Sequence, residues 1–208
     1  MTTKYSLLIT KNATLWQTCS IVTVRQGEVR SVALRLIASK AVYQIISKAT
    51  GVPWWAIAVI HEREASGNFN CSLAQGDPWT KPSIHRPRHR GPFTSFVAAA
   101  EDALVGCPPF AARWSDWSPG GALTLLELYN GTGYEAHGEP SPYLWSATNH
   151  EARGKFTSDG HYSPQAWDNQ LGCAAILITI AQGCADVREA LYPKPPTLPE
   201  TANGVHPS

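Results

Sequence analysis

The stretch VPWWAIAVIHERE, residues 52–64, constrains this chain more than any other. Charge is sparse, at 16% of residues, yet four polar or charged side chains stand directly behind the most aromatic apolar run. Gly51 supplies a stop for whatever precedes it, and Pro53 opens a helix as a first-turn proline does. A 3.6-residue period from Pro53 to about Ala65 puts Ile57, Ile60, His61 and Glu64 on one face. Trp55, Ala58, Val59 and Glu62 fall on another. Both faces begin apolar and end acidic, so the helix enters a core and delivers its charged end to an edge.

The chain around it reads as α-rich. From Val32 a second helical period runs through Leu34, Leu36, Ile37, Ala41, Val42, Ile45 and Ile46. Further helices are predicted from about Ser95 to Val105, through Leu128 up to the stop NGTG, and from about Pro164 to Ala181. Two long segments between them, 66–92 and 137–168, are rich in Gly, Pro and aromatic residues. They read as loops with at most a short hairpin, and long loops in a compact domain are usually functional. Residues 1 to about 31 show no clear period and read as irregular or short-stranded, and 1–38 is taken as an N-terminal extension. Residues 39–190 form the domain, and 191–208 a proline-rich disordered tail.

With 43% hydrophobic residues and a net charge of +1, the chain suits one compact body and gives no global reason to expect nucleic acid. No run approaches the ~18 apolar residues of a membrane span, so stable membrane insertion is not expected. The N-terminal stretch is a poor signal peptide. The five cysteines lack CxxC pairing, which points to free thiols and leaves one or two bridges open. No spacing looks like a zinc site. HERE is not HExxH either, because Ala65 stands where a second histidine ligand is needed. No metal or cofactor is expected.

A glutamate one turn after isoleucines meets apolar surroundings, which raise a carboxyl pKa and suit it to general-acid work on a glycosidic oxygen. Glu64 fits this role, with Glu62 as its rival, and the alternative is that Glu62 and Arg63 solvate a helix end. An inverting reaction needs a second carboxylate to hold water. Asp77, in AQGDPW, stands thirteen residues after Glu64. The same Gly-Asp-Pro is also an ordinary turn with a local Asx bond.

Pro53 to Phe69 resembles the catalytic helix of the lysozyme-like superfamily, specifically goose-type lysozymes, soluble lytic transglycosylases and phage endolysins. In those proteins an apolar helix ends in Glu-Ser, and that Glu is the acid. Here Glu64 matches, with Ala65 in place of Ser and Ser66 following. The spacing to Asp77 is similar to that of goose-type enzymes, and ELYNGTGY resembles the family's AYNxG element through Tyr129 and Asn130. The resemblance spans roughly residues 43–181. It implies a mainly α, lysozyme-like α+β fold with a short β-hairpin or loop region and a cleft. It also implies cleavage of the peptidoglycan glycan strand by a monomer. Trp79, Tyr129, Tyr134, Tyr143 and Trp145 would line a groove for N-acetylated sugars, and Asn130 would bond an acetamido group. The enzyme would be made in a host cytoplasm and act on the cell wall or periplasm, or else be virion-associated or secreted. Three readings stay open beside a muramidase: a lytic transglycosylase, a non-catalytic glycan-binding module and a chitinase. The basic cluster KPSIHRPRHR reads as a solvated loop or as an attraction for acidic cell-wall polymer.

Overall fold

A computed structural model of the chain describes residues 5–158 and 160–193. Among these residues it is mainly helical, with a single two-stranded hairpin. The chain order is α1 (Ser6–Gln17), α2 (Gln26–Ala38), α3 (Lys40–Thr50), α4 (Trp54–Ala65), α5 (Phe96–Gly106), α6 (Pro119–Asn130) and α7 (Pro142–Trp145). Then come β1 (Lys155–Ser158), β2 (His161–Ser163), α8 (Cys173–Gly183) and α9 (Ala185–Leu191).

The HERE helix, α4, is the axis of the core. Every residue from Trp54 to His61 is buried, and so is Arg63. A helix that is apolar on all sides must be surrounded. Here α3, α6 and α8 all pack against it. Ile57, Val59 and Ile60 have no exposed surface, and burial of such side chains stabilises a fold by about 1.5–3 kcal/mol each. Helices α6 and α8 are themselves buried over most of their length. Ser118 caps α6 by accepting from the Gly121 amide at 3.2 Å, and Ser95 caps α5 by accepting from the Ala98 amide at 3.1 Å.

The N-terminal region is not an irregular extension. Residues 6–38 form α1 and α2, which pack on α6 and α8 respectively. Helix α1 buries Leu8, Asn12 and Trp16 on one narrow stripe. It lies so close to α6 that a side chain at Gly120 would strike the Ile9 carbonyl and the Ala13 methyl. The period that begins at Val32 breaks at Ser39, whose hydroxyl donates to the Arg35 carbonyl at 3.2 Å, and two helices result instead of one. The last long apolar helix starts at Cys173 rather than near Pro164. The nine preceding residues remain irregular and carry Asp168 and Gln170 towards α4. All five cysteines are free. Most of the predicted tail, from residue 194 onward, lies outside the described residues.

Candidate active site

The site begins where α4 stops. Ser66 and Gly67 both adopt left-handed backbone, with φ of 52° and 66°. The Ser66 amide donates to the Glu62 carbonyl at 2.9 Å and the Gly67 amide to the His61 carbonyl at 3.1 Å, which closes the last turn and throws the chain aside. This turn leaves the two glutamates in opposite environments. Glu62 lies on the outer face, where its Oε2 accepts from Arg35 Nη2 at 2.7 Å. Glu64 lies half-buried on the inner face, where its Oε1 accepts one hydrogen bond, from the Tyr143 hydroxyl at 2.8 Å.

Burial pushes the Glu64 carboxyl up to about 7, against the opposing pull of the Tyr143 hydrogen bond and the Arg63 charge. Burial also raises the Tyr143 phenol well above its ordinary value, so it keeps its proton and serves as the donor. Under the Tyr143 ring lies Arg63, its guanidinium carbon 4.3 Å from the ring centroid. Arg63 is held in turn by Asp168 Oδ2 at 3.0 Å and the Leu171 carbonyl at 2.9 Å. Asp168 accepts a second cation, Lys155 Nζ, at 2.8 Å on its other oxygen. Burial alone would raise the Asp168 carboxyl, but the Lys155 hydrogen bond and the Arg63 charge hold it below the usual carboxylate range. It therefore stays ionised at a pH where Glu64 still holds its proton in a sizeable fraction of molecules.

These side chains line a cavity of about 570 Å³. Helix α4 contributes Arg63 and Glu64, the end of α6 contributes Tyr129 and Asn130, and the segment after it Gly133 and Tyr134. Tyr143 comes from α7, and Lys155, Phe156, Thr157 and Gly160 come from the hairpin. Asp168 and Gln170 close it. The hairpin is pinned over the cavity by the Phe156 amide, which donates to the Tyr134 hydroxyl at 3.2 Å, and by the Tyr134–Phe156 ring contact at 5.2 Å. The Tyr129 hydroxyl is buried and has no hydrogen-bond partner among the described residues.

The structure thus brings Glu64, Tyr129, Asn130, Tyr134 and Tyr143 together and leaves three predicted residues elsewhere. Trp145 is 1% exposed and belongs to the core. It looked like a loop residue because its helix is only four residues long, between Ser141 and Ser146. Trp79 packs against the core from outside, its indole N–H donating to the Phe69 carbonyl at 2.8 Å, and it does not line the cavity. Asp77 does not line it either. Its carboxylate accepts from the Ile84 amide at 2.8 Å, the His85 amide at 2.9 Å and His85 Nδ1 at 2.7 Å. Three of its acceptor sites are committed to shaping the loop, and the carboxylate lies outside the lining of the cavity in which the expected water would be held. The loop still touches the site through Gly76, where an added Cβ would stand 2.8 Å from the Glu64 carbonyl oxygen.

Arg63, Lys155 and Asp168 were missed in the sequence. Arg63 does carry a signal: it extends the helical stripe of Ala56 and Ile60, which marks it as inward-facing. Its partner Asp168, 105 residues later in an irregular segment, carries none.

Compared with protein-family models, curated proteins and solved structures, the chain matches none. Among the described residues no cluster of three or more His, Cys, Asp or Glu side chains is placed to hold a metal ion. What the geometry offers is a half-buried carboxyl, its pKa raised to about 7, in a cleft walled by phenols, an amide and a paired lysine. Such a group can give a proton to a bound oxygen atom.

Proposed function

We propose that this chain is a peptidoglycan-cleaving glycosidase of lysozyme-like fold, of the kind found among phage endolysins. It would cut the β-1,4 bond between N-acetylmuramic acid and N-acetylglucosamine, with Glu64 as general acid. The observation that carries this reading is the Glu64 carboxyl itself. Its pKa near 7 is set by burial at the wall of the cavity, and leaving-group protonation at neutral pH needs such a group. The Tyr129–Asn130 pair at the end of α6 lines the same cavity, which supports this reading. In this reading Tyr143 orients the carboxyl, and the Arg63–Asp168–Lys155 chain holds Tyr143 and the hairpin in place.

A specific observation favours the lytic transglycosylase variant of this reaction. The two carboxyl groups among the described residues lining the cavity are Glu64 and Asp168, and both oxygens of Asp168 are engaged by Arg63 and Lys155. Asp77 is likewise engaged by its own loop. Attack by the substrate's own 6-hydroxyl needs no separate carboxylate to activate water. Digestion of purified sacculi followed by mass analysis of the muropeptides tests both statements. Cleaved products establish the glycosidase, and an anhydro end in place of a reducing end identifies the transglycosylase. Intact sacculi would sink the catalytic reading in favour of a glycan-binding module.

A further inference from the structure

The Asp77 carboxylate organises a second surface. Residues 78–100 contain Lys81, Arg86, Arg88 and Arg90 and no acidic residue. Arg90 is neutralised by Asp102, its Nε donating at 2.9 Å. The other three are exposed or partly so, and have no side-chain partner among the described residues. The loop that carries them is closed on itself around the buried Ser83. The Ser83 amide donates to the Arg90 carbonyl at 2.9 Å, the His89 amide to the Ser83 carbonyl at 2.9 Å, and the Ser83 hydroxyl to the Pro87 carbonyl at 2.8 Å. Asp77 fixes the two amides of Ile84 and His85. The fold therefore spends two buried polar side chains on giving this loop one shape.

Next to Ser83 in this loop the Ile84 side chain is 71% exposed, and the exposed Lys81, Arg86 and Arg88 stand three residues before it and two and four after it in the chain. An apolar side chain held outward by a locked backbone gains nothing from water and nothing from a soluble polyanion. It gains from a surface whose charged layer covers an apolar interior. We propose that the 81–90 loop docks this protein on anionic lipid headgroups, with the three free cations on phosphates and Ile84 entering the acyl boundary. Because the loop is already ordered, little conformational freedom is lost on docking. The contact is peripheral and reversible: no helix among the described residues is long and apolar enough to cross a membrane. This proposal does not depend on the glycosidase reading, since its test measures binding.

The experiment is co-sedimentation of the full chain with vesicles of phosphatidylglycerol and phosphatidylcholine in equal parts, and with vesicles of phosphatidylcholine alone. The protein is expected to sediment with the first at low salt, to be released by high salt, and to stay in solution with the second. Each of Lys81→Gln, Arg86→Gln and Arg88→Gln should weaken partitioning by about five-fold, and the triple variant by roughly a hundred-fold. Ile84→Ser should weaken it several-fold while leaving retention on soluble polyphosphate unchanged. Melting curves matching the parent exclude unfolding as the cause. Absence of sedimentation with anionic vesicles overturns the proposal. So does an Ile84→Ser variant that partitions like the parent, which would leave only a general polyanion site.

Discussion

Glu64 and Asp77 are thirteen residues apart in sequence and both largely removed from water, yet their chemistry is opposite. Glu64 receives one hydrogen bond, from a phenol, and burial carries its pKa up to about 7. Asp77 receives two backbone amides and a histidine nitrogen. Burial pushes its carboxyl up too, but those donors outweigh it and hold the group below its ordinary value. Depth together with the number and kind of donors decides whether a sheltered carboxyl is an acid in waiting or a structural anion. In this molecule the acid stands at the end of a rigid apolar helix, and the anion is enclosed by a loop that folds around it.

The comparison breaks most visibly through catalysis. Glu64→Gln is expected to reduce cleavage of sacculi by about 10²–10⁴-fold while the fold is retained. Glu62→Gln, on the outer face with Arg35, should keep most activity. Equal losses in both would mean that the two environments are not distinct.

Stability against pH sharpens it next. A carboxyl raised from 4.5 to about 7 in the folded state stabilises the fold relative to its ionised form below pH 4.5, and that contribution is lost as pH rises through 7. Denaturant titrations should therefore show Glu64→Gln gaining on the parent between these limits, by about 3 kcal/mol at the alkaline end. His61, buried in the same helix and lowered from 6.5 to about 4 chiefly by burial, acts in the other direction. The unfolded chain takes up its proton first, so parent and variant alike should lose stability as pH falls from 6.5 towards 4. A flat difference between parent and Glu64→Gln would contradict the raised carboxyl.

Asp77→Asn leaves three donors facing a neutral amide and should cost about 2 kcal/mol of stability, read from the denaturant midpoint. Its effect on turnover should stay well below that of Glu64→Gln. A rate loss as large as that of Glu64→Gln with unchanged stability would return Asp77 to a catalytic role.

The smallest effect concerns the single donor on Glu64. The Tyr143 hydrogen bond lowers the acid's pKa, so Tyr143→Phe should shift the alkaline limb of the pH–rate profile upward, by about half a unit to one unit. A downward shift would mean that Tyr143 bonds the protonated form more strongly.

Much of the acid's setting was legible because α4 advertises itself. An uninterrupted apolar run with proline before it and a sharp turn after it has few alternatives, and Glu64 follows from its phase. Tyr129 and Asn130 were placed by the punctuation of NGTG. The stripe of α1 was not legible: it is three residues wide and includes Asn12, buried only because its amide donates to Thr124 and Glu127 on α6. A polar residue whose partners lie 112 and 115 positions away leaves no local pattern. The same reason hid the Arg63–Asp168–Lys155 chain. Asp77 failed differently. Gly-Asp-Pro alone fits both a turn and a water-holder, and the amides that bond its carboxylate come from the basic segment seven and eight residues further on, although the two form one unit.

Gly76 gives that unit a history as well as a shape. It sits at φ 71°, and the space a Cβ would take is already filled by the Glu64 carbonyl oxygen. Position 76 therefore admits one residue for two independent reasons, while its neighbour could exchange Asp for another acceptor and keep the loop. Among descendants of this sequence glycine should persist at 76 longer than aspartate at 77, and lineages that lose it should lose the neighbouring acid's function soon after.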